Sequence, residues 1–249
     1  MKLKYCLVAC DLNDTYLGYY PFVKKYWKDI VNIDTILVLI SEYIPDSLLQ
    51  YKDDIILYKP IKNIPTAFQA QCIRVLYPCL IETEDAIIIS DIDLIPLNKM
   101  YYTDNVSLYN NNSFIVYRNV LSEYKQYPIC FCCASPYTWK EIFNIHSIED
   151  ITNTLINWFQ DINDYQISSP YSIGWACDQL KLYEYVNKWD KSIIKLSDDM
   201  TGFKRLDRLN VHDVQNNMNF YKKKMEENCY TDFHLPRDFA LLKKFLTSD

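Results

Sequence analysis

Apolar residues in the first hundred positions fall into short unbroken runs separated by stretches with helical spacing. Leu3 to Cys10 is one such run and reads as a buried strand. Residues 14–27 read as a helix with aromatic side chains on one face. Residues 35–41 and 55–59 read as a second and a third strand, and 66–80 as a helix that Pro78 should end. Residues 86–90 form a strongly apolar strand that leads straight into Asp91-Ile92-Asp93. Strands alternating with helices predict βαβ units and a mostly parallel sheet. In such sheets ligands collect beyond the carboxyl ends of the strands, where Asp11 and Asp91 stand.

The second half is less regular. Residues 114–117 and 129–134 read as strands, and 136–145 and 148–161 as helices. A helix over 175–189 carries Asp178 and Gln179 near its start, 193–196 is a further strand, and 238–246 a short amphipathic helix. No repeat, linker or low-complexity run interrupts the chain, so the pattern predicts one α/β domain over 1–249.

Composition narrows the chemistry. A chain of 249 residues with 49% hydrophobic and 23% charged residues can bury a sizeable core. Its net charge of -6 argues against a nucleic-acid partner, which calls for a basic face. With only three glycines (Gly18, Gly174 and Gly202), there is no Gly-rich phosphate loop, dinucleotide fingerprint or G-x-S-x-G elbow. Phosphate handling must therefore rest on a metal and on side chains. Nine cysteines, several inside apolar runs, are expected as buried free thiols in a reducing compartment. The spacing of Cys130, Cys132 and Cys133 does not suit zinc. The charged start Met1 to Lys4 precedes an apolar run too short for a signal peptide, and no stretch approaches a membrane span. The expected location is the cytoplasm, at most peripheral to a membrane.

The strongest local signal is Ile87-Ile88-Ile89-Ser90-Asp91-Ile92-Asp93. A buried strand rarely ends in two carboxylates unless a cation meets them. If the strand continued, positions 91 and 93 would share a face and Ile92 would turn to the core. Two carboxylates on one face can share a hard divalent cation that takes its remaining ligands from phosphate and water. The plain alternative is an Asp cluster capping a turn before Pro96.

With these residues in view, the chain resembles GT-A glycosyltransferases, and most of all the retaining family 8 enzymes that use UDP-sugars. The resemblance implies a Rossmann-like α/β fold, with a nucleotide-sugar half over about 1–100 and an acceptor half over about 101–249. It implies that Ala9, Asp11 and Asn13, at the end of the first strand, hold the uridine, joined by Arg74 and by Ile92 within the D-x-D. It implies Mn²⁺ or Mg²⁺ held by Asp91, Asp93 and the late His234, and catalysis beside the reacting sugar carbon by Asp178 and Gln179. The partners implied are a UDP-sugar donor and a glycan, glycoprotein or small-molecule acceptor. Two segments depart from the family pattern. Leu235-Pro236-Arg237-Asp238 stands where the family brings a Gly and a Lys to the diphosphate, so Arg237 is the candidate replacement. Cys133-Ala134-Ser135 replaces the family's Asn-Ala-Gly.

Other readings stay open at this level. Asp178 fits a first-turn carboxylate facing the helix dipole. It also fits a general base if the reaction inverts, or, with Gln179, a stabiliser of the cationic sugar if it retains. His234 could be an ordinary hydrogen-bonded histidine; His146 and His212 have no comparable context. Arg205, Asp207 and Arg208 read first as a solvated turn, and otherwise as a loop closing over donor phosphates with Lys204 or Arg205. Trp139, Tyr171 and Trp175 are candidate faces for stacking an acceptor sugar. The rival enzyme is a haloacid-dehalogenase-like phosphatase with Asp91 as nucleophile and Asp198-Asp199 as its later acidic pair. The rival without catalysis is a sugar-nucleotide or glycan binding protein.

Overall fold

The computed structural model of the chain describes residues 1–162, 174–208, 213, 216–238 and 242. Strands β1 (Leu3–Cys10), β2 (Asp34–Ile40) and β3 (Ile55–Tyr58) pair in parallel, and β4 (Ala86–Ile89) joins the other side of β1, also in parallel. β4 is the Ala-Ile-Ile-Ile run, buried at all four positions. A strand flanked on both sides and covered on both faces has no polar face to show, so unbroken apolar sequence suits it.

β5 (Leu94–Pro96) leaves this sheet, which continues through β6 (Ser113–Val116), β7 (Cys132–Ala134) and β8 (Ser192–Lys195). The order across the seven strands is β3-β2-β1-β4-β7-β6-β8, and β7 alone runs against the rest. A smaller sheet pairs β5 with β9 (Arg205–Leu206) and β10 (Asp232–His234), with β10 in the middle.

Helices α1 (Asp14–Tyr26) and α2 (Thr66–Leu76) belong to the first half; α3 (Lys99–Ser107), α4 (Pro136–Phe143), α5 (Ile148–Gln160) and α6 (Cys177–Lys188) follow. The short α7 (Asp198–Thr201) and α8 (Met218–Glu226) complete the described set. Their starts are sequence-encoded. Asn13, Asn98, Ser135, Ser147 and Ser197 each cap a helix by accepting backbone N–H bonds. α1 runs on into a π-turn over Trp27–Val31 that ends at Asn32, whose φ of 65° is one asparagine tolerates. The buried Gln69 accepts from Ile61 N and donates to the carbonyls of Ile61 and Ile64, tying the loop before α2 to that helix.

The structure adjusts several expected boundaries. α2 stops at Leu76, and Tyr77–Leu80 is a 3₁₀ turn built around Pro78, which has no N–H to continue an α-helix. Residues 129–134 split into a 3₁₀ turn, Ile129–Phe131, and the short β7. Trp139 is wholly buried, stacked on Phe143 and edge-on to Phe114, so it is core rather than a sugar platform. The expected helix at 238–246 lies almost wholly outside the described residues. All nine cysteines are free thiols, eight of them buried and Cys229 half-buried. Among the described residues no helix is long and apolar enough to cross a membrane.

Candidate active site

A cavity of about 630 Å³ opens beyond the carboxyl ends of β1 and β4. Its volume is in the range of small-molecule sites. Five segments far apart in sequence line it: Ala9 to Asp11, α2 through Gln71 and Arg74, Asp91 to Asp93, the start of α6, and His234 with Arg237. Arg118, Val120, Leu121 and residues 128–131 form a more apolar wall, joined by the partly exposed Trp175.

The D-x-D is a turn, not a strand. β4 ends at Ile89, and Leu94 N donates back to Asp91 O at 3.3 Å before β5 begins. The alternation expected for positions 91 and 93 therefore does not apply, yet both side chains reach the cavity. The turn delivers the chain into the small sheet, where His234 pairs with Leu94 and Leu235 N donates to Asp93 O at 2.7 Å. That pairing brings a histidine more than a hundred residues downstream to within 3.7 Å of Asp93, Nε2 to Oδ2. On the same tail, Pro236 O accepts from Tyr19 of α1 at 2.8 Å, which fixes the approach of Arg237.

Charge is arranged in chains across this floor. Arg74 bonds Asp91 through Nη1 and Asp178 Oδ2 through Nη2, the latter at 2.8 Å. Asp178 is almost fully buried and also accepts from Gln71 Nε2 at 3.1 Å and from Gln179 N at 2.9 Å. Arg208 Nη2 donates to Asp93 Oδ2 at 2.8 Å, and the same guanidinium bonds the His234 ring. Arg205 forks onto the buried Asp232, with Nε to Oδ1 at 2.9 Å. Arg118 is bidentate to Asp198, with both contacts at 2.8 Å, and its guanidinium lies over the Phe203 ring. Arg237 also lines the cavity but has no ion-pair partner among the described residues.

These contacts set the proton affinities. Burial pushes the Asp91 carboxyl up, but Arg74 beside it wins and holds it below the ordinary carboxylate value. Burial and the negative Asp91 both push Asp93 up, and they outweigh its cationic neighbours. Burial likewise raises Asp178 against the pull of Arg74 and Gln71. Burial lowers the His234 imidazole, only partly offset by Asp93, so it favours the neutral form that can donate a lone pair to a metal.

The fit to a divalent cation follows from the donors. Two carboxylates and a neutral imidazole are suitable ligands for Mn²⁺ or Mg²⁺. Among the described residues no three His, Cys, Asp or Glu side chains stand together as a finished metal site. The guanidinium of Arg208 lies between two of the three candidate donors, bonded to both Asp93 and His234.

With this geometry in place, comparisons with known proteins bear on the fold. No protein-family model matches the chain, and no curated protein sequence matches it. Among solved structures, it is similar to the glycosyltransferase GlyE of Streptococcus pneumoniae TIGR4, at 13% identity and a TM-score of 0.54, over 100% of this chain and 61% of that one. The apo form of GlyE matches at 11% identity and a TM-score of 0.52, also over 61% of its length. The galactosyltransferase LgtC, solved with donor and acceptor sugar analogues, matches at 12% identity over 93% of this chain and 86% of that one, with a TM-score of 0.46. The fold is that of the GT-A glycosyltransferases. The chain spans less than two thirds of the GlyE chain it matches.

Of the residues singled out from sequence, Ala9, Asp11, Arg74, Asp91, Ile92, Asp93, Asp178, Gln179, His234 and Arg237 all line the one cavity. Asn13 does not: its side-chain oxygen caps α1, accepting from Thr15 N at 3.1 Å and Tyr16 N at 3.3 Å. Asp11 lies at the cavity edge and accepts from the Thr66 hydroxyl at 2.8 Å. Arg205 and Arg208 are no solvated turn; both are held by largely buried carboxylates. Tyr171 and His212 lie outside the described residues. Of the phosphatase alternative's residues, Asp91 lines the cavity bonded to Arg74, whereas Asp198 does not line it and pairs with Arg118 of the cavity wall. Sequence reasoning missed Gln71 and the partnership of Arg208. Gln71 had a usable signal, three positions before Arg74 and so on the same face of α2. Arg208 had none, since its partners are distant in the chain.

Proposed function

We propose that this protein is a metal-dependent glycosyltransferase that moves a sugar from a UDP-sugar to an acceptor hydroxyl with retention of configuration. The single observation that carries the reading is convergence. Within a GT-A fold, one cavity gathers the D-x-D turn, the late histidine, Arg74, and the Asp178-Gln179 pair. A UDP-sugar as donor, the metal and retention rest on the family 8 resemblance together with this placement.

In the proposed reaction the anomeric carbon passes from a diphosphate oxygen to an acceptor oxygen; UDP leaves with the bonding pair, and its departing oxygen takes the proton of the acceptor hydroxyl. Bound Mn²⁺ or Mg²⁺, held by Asp91, Asp93 and His234, would supply Lewis-acid neutralisation of the leaving diphosphate. Ala9 and Asp11 border the uridine end, and Arg237 offers a cation to the diphosphate. Asp178 is ill suited to abstract a proton, because its oxygens already accept from Gln71, Arg74 and Gln179 N. Its part is electrostatic: a fixed negative charge for a sugar that becomes cationic. Trp175 and the apolar wall at Val120 and Leu121 face the acceptor side, where a glycan, a glycoprotein or a small molecule would enter.

The test is a thermal-shift and hydrolysis screen of nucleotide sugars with and without Mn²⁺. A ligand that binds only the folded state raises Tm by mass action. UDP with Mn²⁺ is expected to stabilise the protein more than GDP or ADP, and EDTA to abolish the gain. No shift with any nucleoside diphosphate would sink the transferase reading; a GDP preference would overturn the uridine assignment alone.

A further inference from the structure

Arg208 occupies the most telling position in the molecule. It follows the two-residue strand β9 and reaches across to the D-x-D turn. Its Nη2 sits 2.8 Å from Asp93 Oδ2, and the guanidinium is hydrogen-bonded to the His234 ring. Asp93 and His234 are themselves only 3.7 Å apart, so little room remains between them for a second cation. A carboxylate as buried as Asp93 needs a positive partner, and in this arrangement Arg208 is that partner.

We propose that Arg208 competes with the metal for Asp93 and His234 and yields that position when metal and nucleoside diphosphate bind together, its guanidinium moving to the diphosphate. This deepens the transferase reading and rests on it. Two cations cannot share Asp93 and His234 at these distances. A metal arriving alone must displace Arg208 and leave its charge without a partner. A metal arriving with a diphosphate brings anionic oxygens that give the displaced guanidinium a new, planar, bidentate partner. The long arginine side chain can make that move by changing rotamers. Metal and nucleotide should then bind with positive coupling, each improving the affinity for the other by the same factor.

The experiment measures Mn²⁺ binding directly, from the free-Mn²⁺ electron spin resonance signal, with and without UDP. The proteins are the native chain, Arg208→Ala and Arg208→Gln. The glutamine variant keeps a hydrogen-bond donor for Asp93 while removing the competing charge, which guards against a variant that fails to fold; circular dichroism and Tm check the fold. The native protein should bind Mn²⁺ weakly alone and about tenfold or more tightly with UDP, within the usual range of coupling. Both variants should bind Mn²⁺ alone more tightly than the native chain, and the gain from UDP should shrink. If native protein couples Mn²⁺ to UDP but folded Arg208→Gln binds Mn²⁺ alone no more tightly, Arg208 is not the competitor and this inference fails while the transferase reading stands. If native protein binds neither UDP nor Mn²⁺, the transferase reading fails and takes the inference with it.

Discussion

Asp178 shows how one residue can serve both placement and chemistry. It is buried at the start of α6, and its oxygens take hydrogen bonds from Gln71 and Arg74 of α2. Arg74 in turn holds Asp91, so the carboxylate proposed beside the sugar and the one proposed on the metal share a guanidinium. Asp178→Asn removes the charge and, with its Oδ1 kept toward Gln71 and Gln179 N, turns an amide N–H₂ toward Arg74 Nη2. Turnover at saturating donor is expected to fall roughly a hundredfold or more, the scale of lost electrostatic stabilisation. UDP affinity measured by calorimetry with Mn²⁺ should weaken much less, because Arg74 keeps Asp91. Native turnover in Asp178→Asn would reduce the residue to a support for Arg74. Arg74→Lys is expected to behave differently, since a lysine cannot fork to two carboxylates. Both UDP affinity and turnover should drop, and unchanged UDP affinity would separate Arg74 from the donor site.

Among the elements, β10 decides whether the site exists at all. Its three residues carry His234 to Asp93, and they are held by β5 on one side and β9 on the other. Burying Asp232 in so short a strand is costly unless its charge is answered, and Arg205 of β9 answers it with two contacts. Arg205→Ala leaves that carboxylate buried and unpaired, which costs on the order of 3 kcal/mol. A clear fall in Tm is expected, accompanied by weaker Mn²⁺ binding as His234 loses its register. The double variant Arg205→Leu with Asp232→Leu should recover much of the Tm, since an apolar pair avoids the desolvation cost. An Arg205→Ala protein with native Tm would show that β10 is fixed by its apolar contacts alone.

At the scale of the whole molecule, the main sheet runs directly under the cavity. Cys10 and Cys130 line that cavity yet remain buried, and burial raises their thiols as it does those of Cys6, Cys72, Cys79, Cys132 and Cys133. Only the thiolate attacks a disulfide reagent, so these groups should be inert in the folded chain. Titration with an aromatic disulfide near pH 8 is expected to label Cys229 quickly and the other eight thiols only after unfolding. Rapid labelling of more than one thiol in the native protein would mean that solvent reaches the cavity floor.

The sequence by itself determined the local elements and the types of group available. Unbroken apolar runs made β1, β2 and β4 recognisable, because a strand covered on both faces must be apolar throughout. Helical spacing placed helices over 14–27, 136–145 and 148–161, while the caps at Asn13, Ser135 and Ser147 that start them came to light only in the structure. Asp91 and Asp93 stood out because charge so rarely ends a buried run. What lay beyond it was every relation set by strand pairing. That β5 leaves the main sheet, that β10 lies against it, and that His234 therefore meets Asp93 depend on contacts between segments more than a hundred residues apart. The ion pairs of Arg74 with Asp178 and of Arg208 with Asp93 also span more than a hundred residues, and that of Arg205 with Asp232 depends on the pairing of β9 with β10. A charged side chain looks alike in sequence whether it faces water or a buried carboxylate; only the tertiary structure supplies the partner, and burial makes that partner decisive.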